Sequence, residues 1–150
     1  MNARVGDWLA GGSQLAVQAV WPPLAIVVLA LLLFLSPGRV VEVSTADFFV
    51  VTVFLGGGAA WLSGKAVAET WRPYLQLIAS MLLLAAAVRF IHYALFAGTL
   101  LSVNFYLIDF AVLAASASLG YRRTRVRQMT AQYGWLYVRH GLLGWSERTA

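Results

Sequence analysis

The chain has no cysteine, two histidines and few charges: six acidic and eleven basic residues among 150, or 11%. The missing cysteine excludes disulfide scaffolds, iron–sulfur clusters, Cys-based zinc sites and thiol nucleophiles, although it does not identify a compartment. The two histidines, His92 and His140, lie at a spacing that makes no metal motif, and no serine nucleophile elbow or carboxylate pair is visible. Glu42 and Asp47 are too few for a calcium site. No residue set proposes catalysis, a metal or a cofactor, so a non-enzymatic protein is the expectation. Charge this sparse, against about 25% in an average soluble domain, also argues against a soluble fold.

What the chain has instead is apolar sequence. Hydrophobic residues make up 61%, against roughly 45–50% on average, and they gather in stretches bounded by charges, prolines or turn residues. The first is centred on Leu24 to Leu35, between Trp21-Pro22-Pro23 and Ser36-Pro37-Gly38-Arg39. Alone it reaches only about 18 Å as a helix. To cross a hydrocarbon core of about 30 Å it must recruit Leu15 to Val20 through the prolines or continue past Pro37. The others run from about Phe48 to Leu62 (to Ala68 if Lys65 snorkels), from Tyr74 to Phe96, and from about Ser102 to Leu119. The expected fold is an all-α membrane protein of about four transmembrane helices. Residues 1–45 form an N-terminal extension with one helix, 46–120 a three-helix core, and 121–150 a short, basic and aromatic cytoplasmic tail. A cleaved signal peptide is the competing reading of the first stretch, but its apolar core starts late and no small-x-small cleavage pattern follows.

Basic loops stay cytoplasmic. Arg4 precedes the first span, Lys65 and Arg72 lie between the second and third, and Arg122, Arg123, Arg125, Arg127, Arg139 and Arg148 follow the fourth. The other side has Arg39 with two acids, then the uncharged link Ala97 to Leu101. Both termini are therefore expected in the cytoplasm. The rule already accounts for the tail arginines, so no nucleic-acid partner is expected. Trp71, Arg72, Arg122, Arg123, Arg125, Arg127, Tyr133, Trp135 and Tyr137 suit the lipid headgroup region or docking on a soluble partner. Gly134, Gly141 and Gly144 break the tail into short pieces.

Within the spans, Gly56-Gly57-Gly58 to Lys65 invites comparison with a phosphate loop, but Ala59 and Ala66 stand where that motif needs Gly and Ser or Thr. It does supply Gly56, Ala60 and Gly64 at i, i+4 and i+8, a small-residue row for close helix packing. Its partner is either another helix of this chain, such as the one with Ala111, Ala114, Ala115 and Ser118, or a second copy in a homo-oligomer. Arg89 and Asp109 are the buried charges. Arg89 lies seven residues before Phe96 and Asp109 seven after Ser102, so an antiparallel hairpin through Ala97 to Leu101 puts both about 10 Å below the same end. His92 and Tyr106 sit one turn away on the same faces, extending the pair into an intramembrane polar cluster. It is read either as a register-fixing ion pair or as a proton relay or anion site.

The run Thr52-Val53-Phe54-Leu55-Gly56-Gly57-Gly58-Ala59-Ala60-Trp61-Leu62-Ser63-Gly64-Lys65-Ala66, then Thr70-Trp71-Arg72-Pro73, the run from Ala87-Val88-Arg89-Phe90 to Leu101, and Gln128 to Tyr133 resemble an uncharacterised family of small bacterial inner-membrane proteins. The resemblance covers about Asp47 to Glu147; the first 45 residues depart from it, since most members begin at the equivalent of the second span. Genes of such proteins tend to sit among those of branched-chain amino-acid ABC transporters. The resemblance therefore implies an accessory or assembly role beside the permease or ATPase subunits. The alternative is a small oligomeric protein conducting protons or solutes through Arg89, His92 and Asp109.

Overall fold

A computed structural model describes residues 5–42 and 44–147, with side chains from Val17 onward, Arg39 excepted. Arg4 and Arg148, and the Arg39 side chain, used in the charge reading, lie outside the described residues. Helix α1 runs Val5–Leu35 straight through Pro22 and Pro23. Proline inside a helix removes a backbone hydrogen bond, and membrane helices tolerate this because neighbours re-satisfy the freed carbonyls. The first span is thus completed on its N-terminal side: Val17–Leu35 is 19 residues, about 28 Å long. Pro37 ends that option on the other side by opening a separate short helix, α2, Pro37–Val40.

The second span starts at α3, Thr45–Phe48, where the Ser44 side chain accepts from the Ala46 amide at 3.2 Å. It passes without a break through a π-helical stretch, Phe49–Gly56, into α4, Gly57–Glu69. Helix α5 covers Tyr74–Phe96, the limits read from the sequence, with Pro73 ahead of it and Ala97 in the left-handed region behind it. Helix α6 is Val103–Gln132. Among the described residues four helices, Val17–Leu35, Thr45–Glu69, Tyr74–Phe96 and Val103–Gln132, are long and apolar enough to span a membrane.

The C-terminal region differs from the expected tail. At 30 residues, about 45 Å, α6 runs well past Leu119 and carries Arg122, Arg123, Arg125 and Arg127 on its last turns. No break falls at residue 120, because backbone hydrogen bonds of a helix do not depend on whether lipid or water surrounds it. Beyond α6 the chain forms an antiparallel hairpin, β1 Tyr137–His140 with β2 Gly144–Glu147, pairing Tyr137 with Glu147 and His140 with Gly144. Gly141 takes φ +73° in the turn, where a side chain would be strained. All three glycines lie beyond the helix end at Gln132, and two of them, Gly141 in the turn and Gly144 at the start of β2, belong to the hairpin.

Helix α6 is the centre of the bundle, packing against α1, α4 and α5. Its closest neighbour is α4, and the Gly56–Ala60–Gly64 row makes that contact. A Cβ on Gly64 would stand 2.0 Å from the Ala117 carbonyl oxygen, one on Gly56 2.8 Å from Leu113, and one on Gly120 2.5 Å from the Trp61 carbonyl. Ala60, Ala114, Ala117 and Ser118 are buried between them. The row is thus used inside this chain. In lipid, where apolar surface gains nothing by leaving the solvent, close backbone approach supplies the dispersion contacts that hold helices together.

Candidate functional site

Arg89 on α5 and Asp109 on α6 meet where depth matching places them. Nη1 of Arg89 is 3.8 Å from Oδ2 of Asp109, and the two residues are 4% and 2% exposed. This is an ion pair at the limit of direct contact, and Arg89 has stronger partners. Its Nη2 forms an ion pair with Glu42 in the α2–α3 link. Its Nε donates to the Thr99 carbonyl at 2.7 Å, and Nη2 bonds the same oxygen. The Thr99 amide donates to Glu42 Oε1 at 2.7 Å, and its hydroxyl donates to that same oxygen. The Phe105 ring covers the guanidinium at 5.4 Å. One arginine therefore ties α5, the α5–α6 link and the α2–α3 link together. Burial acts to raise the Glu42 carboxyl, but the hydrogen bonds from Thr99 and Arg89 and the Arg89 charge outweigh it and hold the group below its ordinary value of 4.5.

Asp109 has a different hydrogen-bond partner. The hydroxyl of Thr52, in the π-helical stretch, donates to Asp109 Oδ1 at 2.9 Å, and His92 Nε2 lies 2.9 Å from the same hydroxyl oxygen. A hydroxyl carries one hydrogen. With it committed to the carboxylate, the Thr52 oxygen can only accept from His92, so the imidazole carries a hydrogen on Nε2. The result is a buried chain from His92 through Thr52 to Asp109, linking the π-helical stretch, α5 and α6. The other carboxylate oxygen, Asp109 Oδ2, is buried without a hydrogen bond. It borders a space of about 10 Å³ walled by Glu42, Phe48, Arg89, His92 and Phe105, about the size of one water. Among the described residues no three His, Asp or Glu side chains are grouped to hold a metal ion.

Tyr106 stands apart from this chain, since its hydroxyl donates to the Leu82 carbonyl at 2.8 Å. It walls, with Arg89, Leu100 and Val103, an open apolar hollow of about 340 Å³. Three members of the cluster escaped the sequence reading. Glu42 lies 47 residues from Arg89, in a loop whose path hydropathy does not set. Thr99 acts largely through its backbone, which has no sequence signature. Thr52 was visible in principle: it is the lone polar residue of an apolar run and stands one i+4 step before Gly56, on the row that faces α6.

The opposite end of the bundle is organised by aromatic and basic residues. Trp21 Nε1 donates to the Tyr74 hydroxyl at 3.1 Å, Tyr74 to Ser118 at 2.6 Å, and Ser118 to the Ala114 carbonyl at 2.6 Å, joining α1, α5 and α6. Arg122, 3% exposed, donates twice to the Leu143 carbonyl and lies 4.8 Å from the Trp145 ring, which fastens the hairpin to α6. Arg125 donates to the Arg72 carbonyl at 3.2 Å, accompanied by the Tyr121 hydroxyl at 3.3 Å, and stacks on Trp71 at 4.4 Å. These two arginines, with Trp71, do structural work within the chain. Tyr133 and Trp135 are exposed, Tyr137 is half-buried, and the Arg72 side chain makes, among the described residues, a weak contact of 3.4 Å with Gln76.

The match to known families spans this architecture. Residues 43–148 fit the family described as Domain of unknown function (DUF6867). The chain belongs to that family. The DUF6867 region includes the second, third and fourth spans and the hairpin, and excludes α1, α2 and Glu42. The strongest partner of Arg89 thus comes from the segment preceding the family region. No curated protein and no solved structure matches the chain.

Proposed function

We propose that this DUF6867 chain is a non-enzymatic, multi-pass subunit of the bacterial inner membrane that assists or assembles a transporter, with a branched-chain amino-acid ABC permease as the favoured partner. The observation that carries this reading is how the buried charges are used. Arg89, His92 and Asp109 are each 6% exposed or less and are engaged with one another or with Glu42, Thr52 and Thr99, around a space for a single water. Polar groups so engaged with one another are suited to holding helices and links in register, which supports a structural use of the cluster over a substrate site. The resemblance of the chain to proteins encoded beside such transporters supplies the choice of partner, and the lysine and arginine distribution supports cytoplasmic termini.

A tagged chain isolated in mild detergent from cells expressing the transporter operon should bring permease or ATPase subunits with it in constant ratio. Isolation of the chain alone or only with itself, across several detergents, would refute the subunit reading. One observation favours a second reading, proton conduction: the His92–Thr52–Asp109 chain ends on a carboxylate whose other oxygen, Oδ2, has no hydrogen bond. Proton flux into liposomes that is abolished by Thr52→Val would support it over the first.

A further inference from the structure

The four arginines near the end of α6 divide by helical phase. Arg122 and Arg125 are consumed by Leu143, Trp145, Arg72, Trp71 and Tyr121. Arg123 and Arg127, one turn apart on another face, are exposed, and among the described residues their guanidinium groups have no hydrogen bond, ion pair or ring partner. They face a polar-walled pocket of about 370 Å³ shared with Lys65 and Trp61 of α4, Thr130 of α6, and Arg139 of the hairpin. Four cations from three elements thus converge on one concavity. Among the described residues the acid in contact with them is Glu69, 3.8 Å from Lys65, with both side chains about half exposed, an arrangement worth little. Arg139 spends only Nε on the Gly141 carbonyl, at 2.9 Å. Like charges lining one pocket repel one another, and a bound anion relieves that repulsion.

The depth of the pocket indicates where such an anion comes from. Lys65 lies twenty residues into the Thr45–Glu69 span and Arg123 twenty residues into α6. Each is therefore about 30 Å from the opposite end, one hydrocarbon thickness. Trp61, one turn deeper than Lys65 on α4, lies where indole rings gather at a membrane interface. Basic pockets between helices at this level suit anionic headgroups, and guanidinium forks suit phosphate oxygens.

We propose that Lys65, Arg123, Arg127 and Arg139 form a binding site for the phosphate group of an anionic phospholipid. The site is independent of the transporter reading, since it requires only this chain and a membrane. The test uses the full chain, delipidated in non-ionic detergent, with thermal unfolding as the readout. Phosphatidylglycerol should raise Tm by about 3–5 °C for each tenfold excess over its Kd, and phosphatidylcholine should not. The double variant Arg123→Gln/Arg127→Gln should fold with an unchanged or higher lipid-free Tm, because repulsion is relieved, and should lose the response. Arg123→Lys/Arg127→Lys should retain much of it. Inorganic phosphate that reproduces the whole shift, with lipid adding nothing, would keep the phosphate site but assign it to a free anion. Equal shifts with both lipids, or an undiminished response in the glutamine variant, would overturn the proposal.

Discussion

Gly64→Ala adds one carbon at the tightest point of the bundle. The new Cβ would stand 2.0 Å from the Ala117 carbonyl oxygen, where Cβ contacts essentially never fall under 3.0 Å. Helices α4 and α6 must therefore separate by about 1 Å. The obstacle is backbone, so no rotamer change relieves it, and retreat of α4 also loosens the neighbouring contacts of Gly56 with Leu113 and of Trp61 with Gly120. Overfilling a packed contact costs about 1–3 kcal/mol, and an immovable obstacle places this case at the upper end. Alanine also stabilises a helix by about 0.5–1 kcal/mol relative to glycine, so a baseline is needed. Gly58 provides it: it lies in the same helix, is exposed, and a Cβ there meets nothing within 4 Å. Gly58→Ala should be neutral or slightly stabilising, and the difference between the variants isolates the steric cost. For a chain of this size 3 kcal/mol corresponds to roughly 6–12 °C. Thermal unfolding of both variants in one detergent measures the gap. Equal Tm values would refute the backbone contact between α4 and α6 and with it the internal use of the small-residue row. Ala60→Leu, at a fully buried position, should fail in the same direction.

In the polar cluster, Arg89→Leu should be the most damaging single change, because it strands both Glu42 and Asp109; breaking a buried pair costs about 3–5 kcal/mol in soluble proteins. Arg89→Leu/Asp109→Leu should recover only part of the loss in a double-mutant cycle, since Glu42 and Thr99 still lack the guanidinium; full recovery would mean that Glu42 contributes nothing. Because the folded chain holds the Glu42 carboxyl below 4.5, its contribution is present above the unfolded value and lost as pH falls through the folded one. Unfolding followed from pH 6 to 3 should therefore show an acid limb that Glu42→Gln weakens. Reporters fused after Ser63 and at the C-terminus should read cytoplasmic and one near Val43 external; an external C-terminus would overturn the charge-based orientation. Arg122→Ala removes both hydrogen bonds to Leu143 and the Trp145 contact, so limited proteolysis should cut between residues 133 and 147 faster than in the parent chain.

The parts legible in the sequence are those governed by one-dimensional rules. An apolar run must be long enough to cross lipid, so Tyr74–Phe96 was readable to its ends. A short link forces its flanking helices antiparallel, so Arg89 and Asp109 could be matched by depth. The limit of α6 was not legible, because charge marks where a bilayer ends and not where a helix does. Nor was Glu42, whose approach to Arg89 depends on the path of a loop.

The basic residues show the same boundary more sharply. By composition Arg122, Arg123, Arg125 and Arg127 are one cluster, and the positive-inside rule treats them as one. Helical phase separates them. Arg122 and Arg125 are three residues apart and turn toward the hairpin and the α4–α5 link, where carbonyls and aromatic rings satisfy them. Arg123 and Arg127 are four apart and face the pocket with Lys65 and Arg139. If all four served only to orient the chain in the membrane, exchanging an inward for an outward arginine would change little. The structure requires otherwise. Loss of Arg122 releases a hairpin, whereas loss of Arg123 removes charge from a site whose neighbours repel it, so the two substitutions should move lipid-free stability in opposite directions.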